Sequence, residues 1–341
     1  MRLPGLSGSC SREIRGSMGG RPRLGRTQQP VRIGARGSKL SLAQAGHTQR
    51  QIAQAMGYGA EEADRVCPMV IISTTGDRIQ DRRLLEIGGK GLFTKEIEEA
   101  LLDGRIDCAI HSMKDVPSLD PEGLTIAAIP EREDPRDAFL SRGPETLEDL
   151  SPGARLGTAS LRRQAQCLHR RPDLVVEMLR GNVDTRIAKL EAGEADAILL
   201  AYAGLKRMGL AHVAKGLIDA KLAPPAPGQG ALAIQTRERD ADQAWVQAMV
   251  HETSTLTVAA ERGALEALEG SCRTAIGAHA WFEGGGLKLI VEALSADGVH
   301  RFRHEGQAEL SQLADPRGRA HDLGLSLGLA VREEAGDKIA I

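Results

Sequence analysis

From Val31 onward, short apolar runs alternate with stretches whose apolar positions recur every three or four residues, the pattern of strands joined by amphipathic helices. VRIGARGSKLSLAQAGHTQRQIAQAM reads as strand, glycine turn and helix, and PMVIIST as a strand. FTKEIEEALLDG predicts a helix with Thr94 at its N-cap and Gly104 at its end, followed by a buried strand in IDCAIHS. After residue 150 the plan returns. ARLGTASLRRQAQCL is strand, turn and helix, DLVVEML a strand, and TRIAKLEAGEADAILLA a helix, Gly193 and a strand. The repetition shows in letters, GRIDCAI at 104–110 against GEADAIL at 193–199, so two similar α/β lobes are expected.

Two stretches connect them, IPEREDPRDAF and the proline- and glycine-rich LAPPAPGQGALAIQ. Two neighbouring crossings are what a hinged two-lobe binding fold requires, with the ligand between the lobes at strand ends. Beyond about residue 250 the pattern is helix (TSTLTVAAERGALEAL), a turn containing Cys272, three strands separated by turns, and a final helix, a small third α/β domain. At 341 residues the chain exceeds the roughly 250–300 that one core supports. The expected division is a leader at 1–30, lobe 1 at 31–130 with 230–247, lobe 2 at 136–224, and domain 3 at 252–341.

Composition narrows the chemistry. Hydrophobic residues make up 41% but aromatics only 2%, so the cores must be aliphatic. The net charge of -2 argues against a nucleic-acid partner, and no run approaches the ~20 apolar residues of a membrane span. The five cysteines (Cys10, Cys67, Cys108, Cys167, Cys272) are odd in number, with no C-x-x-C pair, which disfavours a disulfide framework and a zinc site and suggests a reducing compartment. Residues 1–30 are rich in Arg, Gly and Ser without an apolar core. They are not a secretory signal, so a cytoplasmic location is expected, with an organellar one as the alternative if they form a transit peptide.

Arginines follow strands or open helices: Arg36 in ARGS, Arg162 and Arg163 in ASLRRQ, Arg180 and Arg186 in LRGNVDTR. Helix N-termini carry unpaired N–H groups, and with Ser38 and Ser160 as further donors these positions suit an anion. The usual fate of any one such arginine is a solvated surface. Neighbouring Arg162 and Arg163, however, repel by ~4 kcal/mol at ~4 Å and an effective dielectric of 20, a conflict a polyanionic ligand resolves. HSMKDVP places Lys114 and Asp115 directly after a buried strand, where Asp115 can face a cationic centre. They read equally well as loop charges, and His111 as a packed core histidine. Glycines around Lys90 in GGKGLF make a lid or a plain turn. Cys272, beside Arg273 in a Gly-Ser turn, is the best nucleophile candidate.

Taken together, IGARGSKLSLAQA, GGKGLFTKEIE, DCAIHSMKDVP, EREDPRDAF, GTASLRRQ, LRGNVDTR, ILAYAGLKRMGL, PGQGA and LEGSC resemble the porphobilinogen deaminase family from about Val31 to the C-terminus, more loosely in the last ninety residues. The resemblance implies two periplasmic-binding-protein-like lobes joined by a hinge, plus a C-terminal domain with a three-stranded antiparallel sheet. It implies a transferase that deaminates and joins four porphobilinogen molecules head to tail into hydroxymethylbilane. The primer is a dipyrromethane cofactor held by Cys272 through a thioether. By the same resemblance Asp115 is the catalytic carboxylate, stabilising the azafulvene left when ammonia departs. Ser38, Lys114, Asp115, Ser160, Arg162, Arg163 and Arg186 hold the cofactor. Arg36, Ser38, Arg180, Arg186 and Arg207 hold substrate, and Lys90 and Phe93 belong to a lid. The expected partners are porphobilinogen and the growing polypyrrole, in a monomer. Two rivals stand beside this: a solute-binding protein, which predicts an export leader, and a lysine enzyme using Lys114 through a Schiff base.

Overall fold

A computed structural model of the chain describes residues 29–78, 93–268 and 274–339. The first lobe opens with β1 (Ile33–Ala35), β2 (Met69–Ile71), β3 (Cys108–Ser112) and β4 (Leu124–Ala128). The second contains β5 (Asp137–Ser141), β6 (Arg155–Gly157), β7 (Val175–Glu177), β8 (Ala197–Ala201) and β9 (Gly216–Leu217). The chain then returns to the first lobe as β10 (Leu232–Arg237) and ends with β11 (Ala275–Glu283), β12 (Gly286–Leu294) and β13 (Arg301–Ala308).

The two larger sheets have matching orders, β2-β1-β3-β10-β4 and β7-β6-β8-β5-β9. In each, three strands run parallel and the fourth position is taken by an antiparallel strand at a crossing between lobes. The letter repeat has a physical basis. Asp107, just before β3, accepts from the Arg32 backbone N–H at 2.9 Å and grips the Arg32 guanidinium; Asp196, just before β8, does the same with Arg155, its backbone bond being 2.8 Å. Each acid closes one end of its sheet.

The central strands β3 and β8 are buried almost throughout, as continuous apolar runs covered on both faces should be. The apolar runs of β2 and β7 lie instead at sheet edges, which leaves Ile71 62% and Val175 47% exposed. Thr94 precedes the helix Lys95–Leu102, but its side chain makes no capping bond. Gly104 and Gly193 take φ of +71° and +80° just past their helices, the left-handed conformation for which glycine is selected.

In the third domain the antiparallel sheet β11-β12-β13 packs against the helices Glu252–Leu268 and Pro316–Ala335 around an aliphatic core. Those helices approach closely through Gly263 and Gly324, where a Cβ would strike the carbonyls of His321 and Ala260 respectively. The two crossings, 129–136 and 218–231, lie side by side, with the Glu133 N–H donating to the Gly230 carbonyl at 3.3 Å. Gly230 has φ +90°, and an added Cβ there would meet the Glu133 carbonyl, so the touching crossings demand glycine.

Candidate active site

A crevice between the lobes is built from strand ends and helix starts. On the first lobe β1 runs into Arg36 and Ser38, and Ser38 caps the helix Lys39–Ala55 by accepting from the Ser41 N–H at 3.3 Å. On the second, β6 leads to Ser160, which caps the helix Leu161–Arg170 by accepting from the Arg163 N–H at 3.4 Å. Capping uses a lone pair of each hydroxyl and leaves its proton available for donation. β3 ends in a tight turn, Met113–Asp115, tied to the returning chain by the Met113 N–H on the Ala231 carbonyl at 3.1 Å. Arg36, Ser38, Phe93, Asp115 and Arg186 line one cavity, with Gly181 and Asn182 on the second-lobe side.

Its electrostatics turn on a residue missed by sequence reasoning. Asp137, buried at the start of β5, lies 2.8 Å from both Arg162 and Arg163 and accepts a further bond from Gln229 at 2.9 Å. Burial alone would raise its pKa, but the two guanidiniums hold it far below the usual carboxylate range. The repulsion between Arg162 and Arg163 is thus relieved inside the protein, without a ligand. One carboxylate between two arginines still leaves a positive surplus, and Lys114 adds to it. Lys114 presents exposed surface, yet loss of solvent around its ammonium, reinforced by Arg163, pushes its pKa down to about 8. Arg186 is lowered to about 10, first by desolvation and then by Arg163. Asp115 is close enough to favour the charged forms of both.

The surplus comes with unused donors. Nε of Arg162, Nη1 of Arg180 and Nε of Arg186 are buried with no hydrogen-bond partner among the described residues. Orphaned guanidinium N–H groups are expensive; Arg186 lies on the cavity lining, Arg162 acts on Lys114 close by and Arg180 directly precedes Gly181 of the lining, so the group suits carboxylates. This is the donor set a carboxylate-rich dipyrromethane needs, so the residues present fit such a group.

Not every expected site residue joins this cluster. Arg207 sits at the hinge, its guanidinium donating to the Gly230 carbonyl at 2.7 Å; like Lys114, Ser160, Arg162, Arg163 and Arg180, it stands outside the lining that Arg36, Ser38, Asp115 and Arg186 share. The Arg36 guanidinium stacks over Phe93, its central carbon 4.0 Å from the ring centroid. His111 is buried on Gln235 at 3.1 Å, and burial lowers its pKa to about 4. Lys90 and Cys272 lie outside the described residues. Cys67, Cys108 and Cys167 are buried, and burial raises the pKa of each. Ala275, three residues after Cys272, packs on Leu161 and Ala165 of the helix that carries Arg162 and Arg163. Besides Asp137, sequence reasoning missed Gln229, which links Asp137 to Lys114; the one signal for Asp137 was an acid opening the apolar run DAFL.

The family model described as porphobilinogen deaminase, dipyromethane cofactor binding domain, matches residues 31–244, and that of the C-terminal domain matches residues 255–333. The chain belongs to the porphobilinogen deaminase family. A porphobilinogen deaminase of Phenylobacterium zucineum is 73% identical over 92% of this chain and 99% of its own length, and one of a Caulobacter species is 66% identical over the same shares. A periplasmic substrate-binding protein of an ABC transporter from Coxiella burnetii is 15% identical, covering 68% of this chain and 96% of its own, at a TM-score of 0.41. As a porphobilinogen deaminase the chain is a transferase that polymerises porphobilinogen to hydroxymethylbilane in tetrapyrrole synthesis, with a dipyrromethane cofactor. Among the described residues no helix is long and apolar enough to cross a membrane.

Proposed function

We propose that Asp115 is the catalytic carboxylate of this reaction and that the crevice cations hold its acidic pyrroles. Arg162, Arg163, Lys114 and Arg186, with Ser38 and Ser160, would hold the dipyrromethane group, anchored by Cys272. Arg36, Arg180 and Arg186 would take the carboxylates of incoming porphobilinogen, and Lys90 and Phe93 would belong to a lid over them. Arg207, at the hinge, would add a further substrate contact. The dipyrromethane, when bound, supplies the free ring end to which pyrroles are added.

Asp115 acts because its carboxylate opens into a crevice rich in cations, whereas Asp184, the other carboxylate on that lining, is held by Lys39 at 2.9 Å. Pyrrole N–H groups donate to it. The positive charge left on a ring as ammonia departs is held beside a fixed anion in an enclosed site, where such a charge is stabilised far more than in water. Lys114 and Arg186 lie close enough to Asp115 to interact with it electrostatically, and would hold pyrrole carboxylates at the same time. The observation that carries this reading is the set of buried, unpartnered guanidinium N–H groups of Arg162, Arg180 and Arg186. We infer further that the chain works as a cytoplasmic monomer, with lobe 1 (31–130 and 230–247), lobe 2 (136–224) and domain 3 (252–341) as its moving parts.

The test is the Asp115→Ala variant, read by intact mass and by steady-state rate. The mass of two linked pyrroles should be retained, and kcat should fall by ~10²-fold or more, the cost of removing one preorganised electrostatic contact. Near-normal turnover in that variant would refute the role. In Cys272→Ser the added mass should be absent.

A further inference from the structure

We propose that Arg262, on the third domain, is a positioning residue for the reaction: it clamps the turn that carries Asp115 and so fixes the catalytic carboxylate from behind. The proposal rests on the reading of Asp115 as the catalytic group.

The Arg262 Nη2 donates to the carbonyls of Pro117 and Ser118, both at 2.8 Å, while Nη1 lies 3.5 Å from the Val116 carbonyl and 3.7 Å from the Met113 sulfur. The Asp120 carboxylate is 3.9 Å away, beyond hydrogen-bond length. The guanidinium therefore directs its fork at consecutive backbone carbonyls of the residues that follow Asp115, a use for which its planar donor array is suited and a lysine is not. Asp115 is itself exposed to the crevice, so its carboxylate stays in place only as well as its backbone does.

That backbone has room to move. A cavity of about 380 Å³ lies directly behind the turn, between the first lobe and the third domain, walled by Met113, Leu119, Ile126, Ile129 and Val258. On the crevice side the turn is held by the Met113 N–H on the Ala231 carbonyl, by the Val116 N–H on the Met113 carbonyl at 3.1 Å, and by Gly228, where an added Cβ would meet the Met113 side chain at 2.5 Å. On the cavity side Arg262 spans the gap. Without it the turn can relax into free volume, and an ångström of retreat at a reacting group costs ~10²-fold in rate. The helix Glu252–Leu268 that carries Arg262 belongs to the third domain, so the placement of the carboxylate depends on a domain other than its own.

The test uses the cofactor-loaded full chain. Arg262→Gln should keep the cofactor mass and the KM of the parent while kcat falls ~10- to 100-fold. Arg262→Lys, which can reach one carbonyl at a time, should recover part of the loss. Arg317→Gln, at another residue lining the same cavity, should behave as the parent. Parent-like kcat in a folded Arg262→Gln, a rise in KM with kcat kept, or an equal loss in Arg317→Gln would each overturn the proposal. Should Arg262→Gln not fold, Arg262→Lys decides alone, and an unchanged kcat there overturns it. Asp115→Ala is run in parallel: if it turns over normally the reading of Asp115 falls, and if it is inactive while the Arg262 variants are unaffected, the clamp alone falls.

Discussion

The side chain whose chemistry the crevice changes most usefully is Lys114. Its pKa of about 8 against an ordinary 10.5 means that, between those values, the folded protein has released a proton the unfolded chain still holds. Stability must then rise with pH across that window, because the cost of a partly desolvated ammonium beside Arg163 is fully present below about 8 and is relieved above it. Carboxylates bound beside Lys114 would raise its pKa again and flatten the limb. Cofactor-free Cys272→Ser should therefore gain stability from pH 8 to 10 relative to the loaded enzyme in denaturant titrations, and the Lys114 resonance in isotopically labelled protein should titrate higher when loaded. Equal slopes and equal midpoints would refute the account. At this scale the sequence was informative where a residue type and a strand end coincide, as in Lys114 and Asp115 after IDCAI. It was silent on Asp137, whose partners are 25 and 26 positions away and meet it only once β5 has crossed into the second sheet.

Among elements, the two capped helices are the working parts, and their caps serve structure and binding together. Ser160→Ala should cost ~0.5–2 kcal/mol, the range for a lost N-cap. Ser160→Asp separates the two roles, since Asp caps as well as Ser and its charge suits a helix N-terminus. The Asp variant should melt at or above the parent temperature, while the fraction of protein carrying the two-pyrrole mass falls at least ~10-fold as a fixed anion takes the place of the cofactor's carboxylate. Full loading in that variant would show that this helix start faces no cofactor charge. Elements with strong local signals were legible: AIGAHAWFE is β11, Ala275–Glu283, and the helix before Gly104 stops at Leu102. Less visible were β5 and β9, because Asp137–Ser141 and Gly216–Leu217 become strands only by pairing with β8 and with each other. The burial of the apolar runs in β2 and β7 could not be judged locally either, since position at a sheet edge is a property of the whole sheet.

At the scale of the molecule, Glu261 joins the parts. It has no exposed surface, receives Arg132 from the first crossing through bonds of 2.8 and 2.9 Å, and accepts from the Gly228 N–H of the second crossing at 2.7 Å and from the Ala280 N–H of β11 at 2.9 Å. One carboxylate thus ties both hinge strands to the third domain, and Arg132 adds a bond from its Nε to the Gln229 carbonyl at 2.9 Å. Breaking a buried pair by removing one charge costs ~3–5 kcal/mol, because the other is left uncompensated. Glu261→Gln should lose stability of that order in denaturant unfolding. A buried ion pair can often be replaced by two apolar residues at little cost, but not here. In the double variant Glu261→Met, Arg132→Met, the N–H groups of Gly228 and Ala280 would be left buried without an acceptor, at ~1–3 kcal/mol each. The double variant should therefore remain well below the parent in stability, recovering the part due to the stranded Arg132 charge and no more. A double variant as stable as the parent would show that the backbone donors find other partners, and that the three parts are held together by something other than this carboxylate.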